Sequence, residues 1–117
     1  VWPASILLAH HLTTIASQSP PPPPCILELG AGQALPSRVA ARQWPSPTRL
    51  HLLQDTAIRF EWPQAEWIIG QWQDIVIPPL PSGTLLLAAD CLYERASFAP
   101  FLRMVASVLV DINNRLL

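Results

Sequence analysis

Residues that could do chemistry cluster around one short stretch, CILELGAGQALPSRVAA, which runs from position 25 to 41. Gly30 and Gly32 permit a sharp bend and a close approach of the backbone to a ligand, because glycine has no Cβ. The helical sequence that follows would present N–H groups to an anion. Leu35 stands where a dinucleotide fingerprint needs its third glycine, and the Gly-Lys-Ser/Thr of a phosphate-binding loop is missing. Two interpretations stay open, a ligand-binding turn and an ordinary tight turn between a strand and a helix.

Two carboxylates near this stretch indicate which ligand would suit it. Asp55 ends the next apolar segment, where its carboxylate could accept hydrogen bonds from both hydroxyls of a ribose. Glu28, two residues before Gly30, could orient the turn or meet the ammonium group of a ligand. A nucleoside that carries an amino acid would use both acids, and S-adenosylmethionine (SAM) is such a molecule. The residue chemistry makes SAM one of the open alternatives.

Strand-like and helix-like segments alternate along the chain. Apolar residues at helical spacing predict the first helix, with Leu8, Leu12 and Ile15 on one face and Ile6 and Leu7 widening it. The sequence predicts helices over 3–17, 35–44 and 96–114 and strands over 25–29, 49–55, 66–70 and 84–90. This alternation predicts one α/β domain over 1–117, a mostly parallel sheet with helices on both faces.

Three candidate features coincide with strand ends in this arrangement. Ligands of parallel α/β sheets bind beyond the carboxyl ends of the strands. The glycine turn, Asp55 and Asp90 each follow a predicted strand directly. We therefore expect a ligand site at that edge of the sheet.

The composition excludes several other classes of function. Half of the 117 residues are hydrophobic, the net charge is -1, and the 7 basic residues are scattered, so we expect no nucleic-acid partner. No apolar run reaches the roughly 20 residues of a membrane span. Cys25 and Cys91 lie in apolar segments, which favours a reducing compartment, the cytoplasm or the nucleus. The histidines and cysteines show no metal-ligand spacing. The missing initiator Met suggests that the chain begins inside a longer protein.

Proline is concentrated before the first predicted strand, with Pro20 to Pro24 consecutive among 14 prolines in all. Such a run adopts an extended, semi-rigid polyproline II conformation. We interpret residues 18–24 as a connector between the first helix and the first strand. The alternative is a docking ligand for an aromatic-lined groove of another protein.

Three segments together resemble the seven-strand methyltransferase-like family, whose members modify lysine or arginine in proteins. ILELGAGQALPSRVAA resembles the family's first motif, and VWPASILLAHHL resembles the Trp-Pro helix that precedes it. LLLAADCLYERASFAPFL resembles the fourth-strand segment, Asp-x-x-Tyr/Phe-Glu followed by a helix. The resemblance implies a Rossmann-like methyltransferase fold that binds SAM. It also implies a protein substrate, such as a histone arginine or a chaperone.

The resemblance assigns roles to residues that match the family's motifs. The implied cofactor-binding residues are Trp2, Glu28, Gly30, Gly32, Asp55 and Trp72. The implied catalytic residues, which would face the methyl acceptor, are Asp90, Tyr93 and Glu94. The Gly-Gln-Trp context of Trp72 differs from the family's usual Trp-Gly pair.

The chain also departs from the family pattern. Only TAIRFEWPQA separates Asp55 from the third predicted strand, which shortens the wall expected beside the adenine. The family continues beyond the last helix with a fifth strand and an antiparallel pair, so we expect a C-terminally truncated domain. The outer edge of the fourth strand would then be open and prone to pair with a partner or a second copy. Two hypotheses follow, an enzyme completed by another segment or subunit and a non-catalytic protein-interaction module.

Overall fold

The fold is an α/β arrangement around one parallel sheet. The computed structural model describes residues 3–18, 21–31, 33–44, 49–54, 65–70, 72–89, 91, 95–111 and 113–117, with the backbone alone at 49–50, 53–54 and 97. The elements are α1 (Pro3–Ser17), β1 (Cys25–Leu29), α2 (Leu35–Gln43), β2 (Arg49–Gln54), β3 (Ala65–Ile69), β4 (Leu85–Ala88), a 3-10 turn (Arg95–Ser97), α3 (Phe98–Leu109) and β5 (Arg115–Leu116). The strand order is β3-β2-β1-β4-β5, and every pairing is parallel. This confirms the predicted α/β class and the Rossmann-like sheet.

The central strand is buried along its whole length, because helices cover both faces of the sheet. All five residues of β1 are buried. Leu27 and Leu29 belong to the core beneath α3, whereas Ile26 packs with residues of α1 and α2. A parallel strand that is covered on both faces reads as a continuous apolar run, and CILEL fits that pattern except at Glu28. The exception is a buried carboxyl in the middle of the molecule.

The first helix matches its prediction over residues 3–17 but buries a narrower face than expected. Leu12 is fully buried, and Leu8 and Ile15 pack partly against the same core. The prediction that Ile6 and Leu7 widen this face is wrong, since their exposed fractions are 54% and 71%. A single helix covering two strands needs only a stripe of apolar residues, so these two point away from the sheet.

The C-terminal region differs most from the sequence prediction. The last helix ends at Leu109 rather than at position 114, and β5 follows it. Asn114 accounts for the early end, because its Nδ2 donates to the carbonyl of Val108 at 2.8 Å. Its Oδ1 accepts the N–H groups of Gly83 and Thr84, at 2.9 and 2.8 Å. One side chain thus ends the helix and joins it to the start of β4.

The same region pairs with β4, whose outer edge we expected to be open. The N–H of Leu117 donates to the carbonyl of Leu86, and the N–H of Ala88 donates to the carbonyl of Leu117, both at 2.8 Å. The N–H of Arg115 donates to the carbonyl of Thr84 at 3.1 Å. The short β5 therefore covers β4 along its length. The expectation of an open β4 edge is therefore wrong, whereas the predicted partner or self-association stays a prediction.

No helix within the described part of the chain combines the length and the apolar character that crossing a membrane requires.

Candidate functional site

The candidate site lies at the carboxyl edge of the sheet, where the parallel strands end together. Gly30 follows β1, Cys91 follows β4, and Trp72 follows β3. Among the predicted site residues, the structure describes Glu28, Gly30 and Trp72, and it places Trp72 beside Gly30. The other predicted site residues fall outside the described ranges: Trp2, Gly32, Asp55, Asp90, Tyr93 and Glu94.

Two of the described residues in the turn after β1 have a left-handed backbone conformation. Gly30 has a φ of 62°, which explains the glycine, because this region is unfavourable for other residues. Ala34 also has a positive φ, 56°, and its N–H donates to the carbonyl of Ala31 at 2.6 Å. An alanine in this conformation costs roughly 1–2 kcal/mol. The sequence carries no signal for this strained position, since alanine normally avoids it, and such strain often marks ligand-binding turns.

Glu28 caps the helix that follows the turn. Ala34 occupies the N-cap position of α2 and has no side-chain oxygen to accept a hydrogen bond. Oε2 of Glu28 accepts the backbone N–H of Ser37 at 3.1 Å instead. The carboxyl thus takes over the capping role that a serine or aspartate would normally fill. Of the two roles expected for Glu28, this contact corresponds to orienting the turn.

The same contact changes the expected anion site at the start of α2. Pro36 has no N–H, and the N–H of Ser37 is already bound to Glu28. Anion sites at helix termini depend on several unoccupied N–H groups that point at the ligand. The first turn of α2 is therefore less suited to a phosphate than its sequence suggested, in agreement with the missing phosphate-binding motifs.

Burial changes the pKa of the Glu28 carboxyl group. Burial raises the pKa of Glu28 from 4.5 to about 7, and the hydroxyl and N–H of Ser37 oppose that rise by favouring the charged form. The hydroxyl lies beside the carboxyl but has no hydrogen bond of good geometry within the described residues. A carboxyl group with a raised pKa is a candidate for a functional role, and Glu28 combines that property with its capping contact.

Two side chains form a floor beneath Gly30. A Cβ at Gly30 would lie 3.2 Å from Sγ of Cys91 and 3.9 Å from the ring of Trp72. Cys91 is buried, and its thiol donates to the carbonyl of Leu29 at 3.2 Å. Trp72 packs edge-on against Phe101 of α3, with ring centroids 5.4 Å apart. Sequence reasoning missed the contact between Cys91 and the turn, because 61 positions separate the two residues.

An open groove along α3 is lined in part by Trp72. It has a volume of about 290 Å³ and shares Trp72 with the surroundings of Gly30. Ile75, Met104 and the charged Arg103 are among its other lining residues. Trp72 thus has two environments, the glycine turn and the α3 groove.

The described residues do not form a metal centre. No group of three or more His, Cys, Asp or Glu side chains in that part of the chain could hold a metal ion. Nδ1 of His51 lies 3.3 Å from Oε2 of Glu66, directly across from it on the neighbouring strand. This pair belongs to the sheet and not to the carboxyl edge.

We compared the chain with protein families, curated proteins and solved structures, and only the solved structures gave a match. No family model matches the chain. No curated protein matches it either. Among the solved structures, human N-acetylserotonin methyltransferase in complex with SAM matches with a TM-score of 0.52 and 13% identity. The match covers 88% of this chain but 35% of the methyltransferase, so the chain spans about a third of that protein's length. The likeness shows the fold, a Rossmann-like methyltransferase fold.

Proposed function

We propose that this chain belongs to a SAM-dependent methyltransferase that modifies a lysine or arginine side chain of a protein. The observation that carries the proposal is the turn after the central strand. In a β3-β2-β1-β4-β5 sheet, this turn combines Gly30, a buried Glu28 beneath it and Trp72 beside it. The methyltransferase whose fold matches was solved with SAM, and this supports SAM as the cofactor by analogy of fold.

The chemistry of the turn favours SAM over phosphate-containing cofactors. A nucleotide needs N–H groups or cationic side chains for its phosphates, and Glu28 occupies one of the N–H groups at the start of α2. SAM has no phosphate, and beside its one carboxylate it carries a sulfonium, an ammonium and a ribose, which acids can bind. The sequence places Asp55 after β2, where the ribose would lie. Asp55 would therefore match the hydroxyl groups of this ligand's ribose.

The catalytic residues in this proposal follow β4. Bound SAM supplies an electrophilic methyl group for an in-line displacement, and most of the rate enhancement in such a reaction comes from positioning. Asp90 and Glu94 would hold the cationic acceptor and orient its lone pair once a proton is lost. Tyr93 would face the same acceptor. A lysine ammonium has a pKa near 10.4, so the acceptor needs such help to become a nucleophile.

The class of substrate rests on the resemblance in sequence. The three segments resemble those of methyltransferase-like protein twenty-three, for which the implied substrate is a histone arginine. A histone in the nucleus or a chaperone in the cytoplasm would fit this chemistry. Methyl transfer from labelled SAM to histone peptides with a single arginine or lysine would test the assignment. Labelling of neither peptide by a protein that binds SAM would exclude these histone sites as substrates.

A non-catalytic interaction module is the second candidate function. Pro21, Pro22 and Pro24 are exposed, whereas Pro23 is buried. Three exposed prolines in a row of four could dock in an aromatic-lined groove of another protein. This candidate predicts no affinity for SAM or its product.

Calorimetric titration with S-adenosylhomocysteine, with NAD as the control ligand, separates the two candidates. We expect binding of S-adenosylhomocysteine alone. The variant Asp55→Ala should weaken this binding by about 1–3 kcal/mol, because the ribose hydroxyls lose a charged acceptor. Equal affinity of the variant and the parent would move the ribose acid to another residue. A folded chain that binds neither ligand would favour the interaction module.

A further inference from the structure

Cys91 contacts the proposed cofactor turn from below. Its Sγ donates to the carbonyl of Leu29, the last residue of β1, at 3.2 Å. It also lies 3.2 Å from the place where a Cβ at Gly30 would stand. One thiol therefore touches both the final peptide group of the strand and the first residue of the turn.

The position of Cys91 gives a second reason for a glycine at position 30. The missing Cβ of Gly30 would point at Cys91 and Trp72, whereas Gly30 itself is exposed on its other side. A contact of 3.2 Å to a Cβ is tighter than ordinary packing, so an alanine there would have to displace the thiol or the turn. Glycine at this position is thus required by the floor as well as by its backbone angle.

In the sequence, Cys91 lies among the proposed catalytic residues. Asp90 precedes it directly, and Tyr93 and Glu94 follow within three residues. The floor therefore joins the turn proposed to hold the methyl donor to the segment proposed to hold the acceptor. In-line transfer depends on the distance between these two segments.

We propose that Cys91 is a positioning residue, whose side chain holds the turn after β1 in its binding geometry. This inference rests on the proposed function. Cys91 would act through the backbone of Leu29 and Gly30, and this role requires no contact between the thiol and the cofactor. A side chain at position 91 that cannot donate to Leu29 would release the turn, and the cofactor affinity would fall.

A double-mutant cycle between Gly30 and Cys91 tests this inference. We expect Gly30→Ala to raise the dissociation constant for S-adenosylhomocysteine by about tenfold, close to 1.4 kcal/mol. In a Cys91→Ala background the same change should cost less than about threefold, because the sulfur that obstructs the new methyl group is gone. Ala34 shows that this turn accepts an alanine at positive φ. The conservative Cys91→Ser keeps the donor to Leu29 and should bind within about threefold of the parent.

Cys25 supplies the matched control, since it is buried at the opposite end of β1. The tenfold effect of Gly30→Ala should persist in a Cys25→Ala background. An equal effect of Gly30→Ala in all three backgrounds would overturn the positioning role. The same cycle measured by the melting temperature needs no ligand. If the parent protein does not bind S-adenosylhomocysteine, the proposed function fails, and rescue of the melting temperature by Cys91→Ala alone decides whether Cys91 holds the turn.

Discussion

The amino ends and the carboxyl ends of the parallel strands form two opposite edges of the sheet. Both edges contain a glycine with a positive φ, but the surroundings of the two glycines differ. Each edge has a glycine with positive φ, Gly83 with 90° at the amino edge and Gly30 with 62° at the carboxyl edge. A Cβ at Gly83 would lie 3.5 Å from Pro24, which is ordinary contact, whereas a Cβ at Gly30 would lie 3.2 Å from Cys91. The carboxyl edge is the more tightly built around its glycine.

The polar groups at the two edges differ more clearly. At the amino edge, Asn114 makes three hydrogen bonds, and the hydroxyl of Thr84 donates to the carbonyl of Pro81 at 2.7 Å. At the carboxyl edge, Glu28 is buried with its pKa raised to about 7. An edge that only closes the fold satisfies its polar groups internally. Glu28 caps α2 and yet carries a desolvation cost, and buried acids with a raised pKa are candidates for functional sites.

The largest expected effect separates the two glycines. We expect Gly30→Val to weaken binding of S-adenosylhomocysteine at least about 100-fold, close to 3 kcal/mol, because a branched side chain would meet Cys91 and Trp72. Gly83→Val should lower the free energy of unfolding by about 1–3 kcal/mol through backbone strain. It should leave the affinity of the folded protein unchanged. Calorimetry and urea unfolding of both variants measure these effects, and a loss of affinity in Gly83→Val would erase the contrast.

The next effect concerns pH and the carboxyl edge. The folded pKa of Glu28, about 7, lies above its ordinary value of 4.5, so the folded state binds the proton more tightly. The resulting stabilisation is complete below pH 4.5 and is lost as the pH rises through 7, a change of about 3 kcal/mol. Glu28→Gln should remove this dependence and be the more stable protein at pH 8. Urea unfolding between pH 5 and 8 measures both.

Asp74→Asn is the control for this prediction, because it makes the same change from acid to amide at an exposed position. Its unfolding curve should keep the pH dependence of the parent protein. A parallel pH dependence in Glu28→Gln and the parent would show that Glu28 is charged in the folded state.

The smallest effect tests the amino edge. Asn114→Ala removes three hydrogen bonds and should lower the free energy of unfolding by about 2–3 kcal/mol, since two N–H groups near the start of β4 lose their acceptor. The neighbouring Asn113→Ala removes one exposed bond to Ser82 and should cost less than about 0.5 kcal/mol. Affinity for S-adenosylhomocysteine should be unchanged in both. Weaker binding by Asn114→Ala would show that the two edges are coupled.

The amino-acid sequence by itself determined the order and the type of the main elements. Apolar periodicity and proline positions predicted α1, β1, α2 and β4 within a few residues, because these signals are local. The sharp turn at Gly30 was also predictable, because a glycine directly after a strand permits a positive φ. The parallel sheet followed from the alternation of strands and helices.

The tertiary structure alone decided the features that depend on distant contacts. The short β5 contains two residues, too few for any periodicity, and forms because β4 offers an unpaired edge. The cap that Glu28 provides for α2 depends on the path of the turn between them. Cys91 reaches Gly30 only because β4 lies beside β1 in the sheet. Local sequence preferences set each segment's conformation, whereas burial, pKa and contact across the carboxyl edge arise only when separate segments pack together.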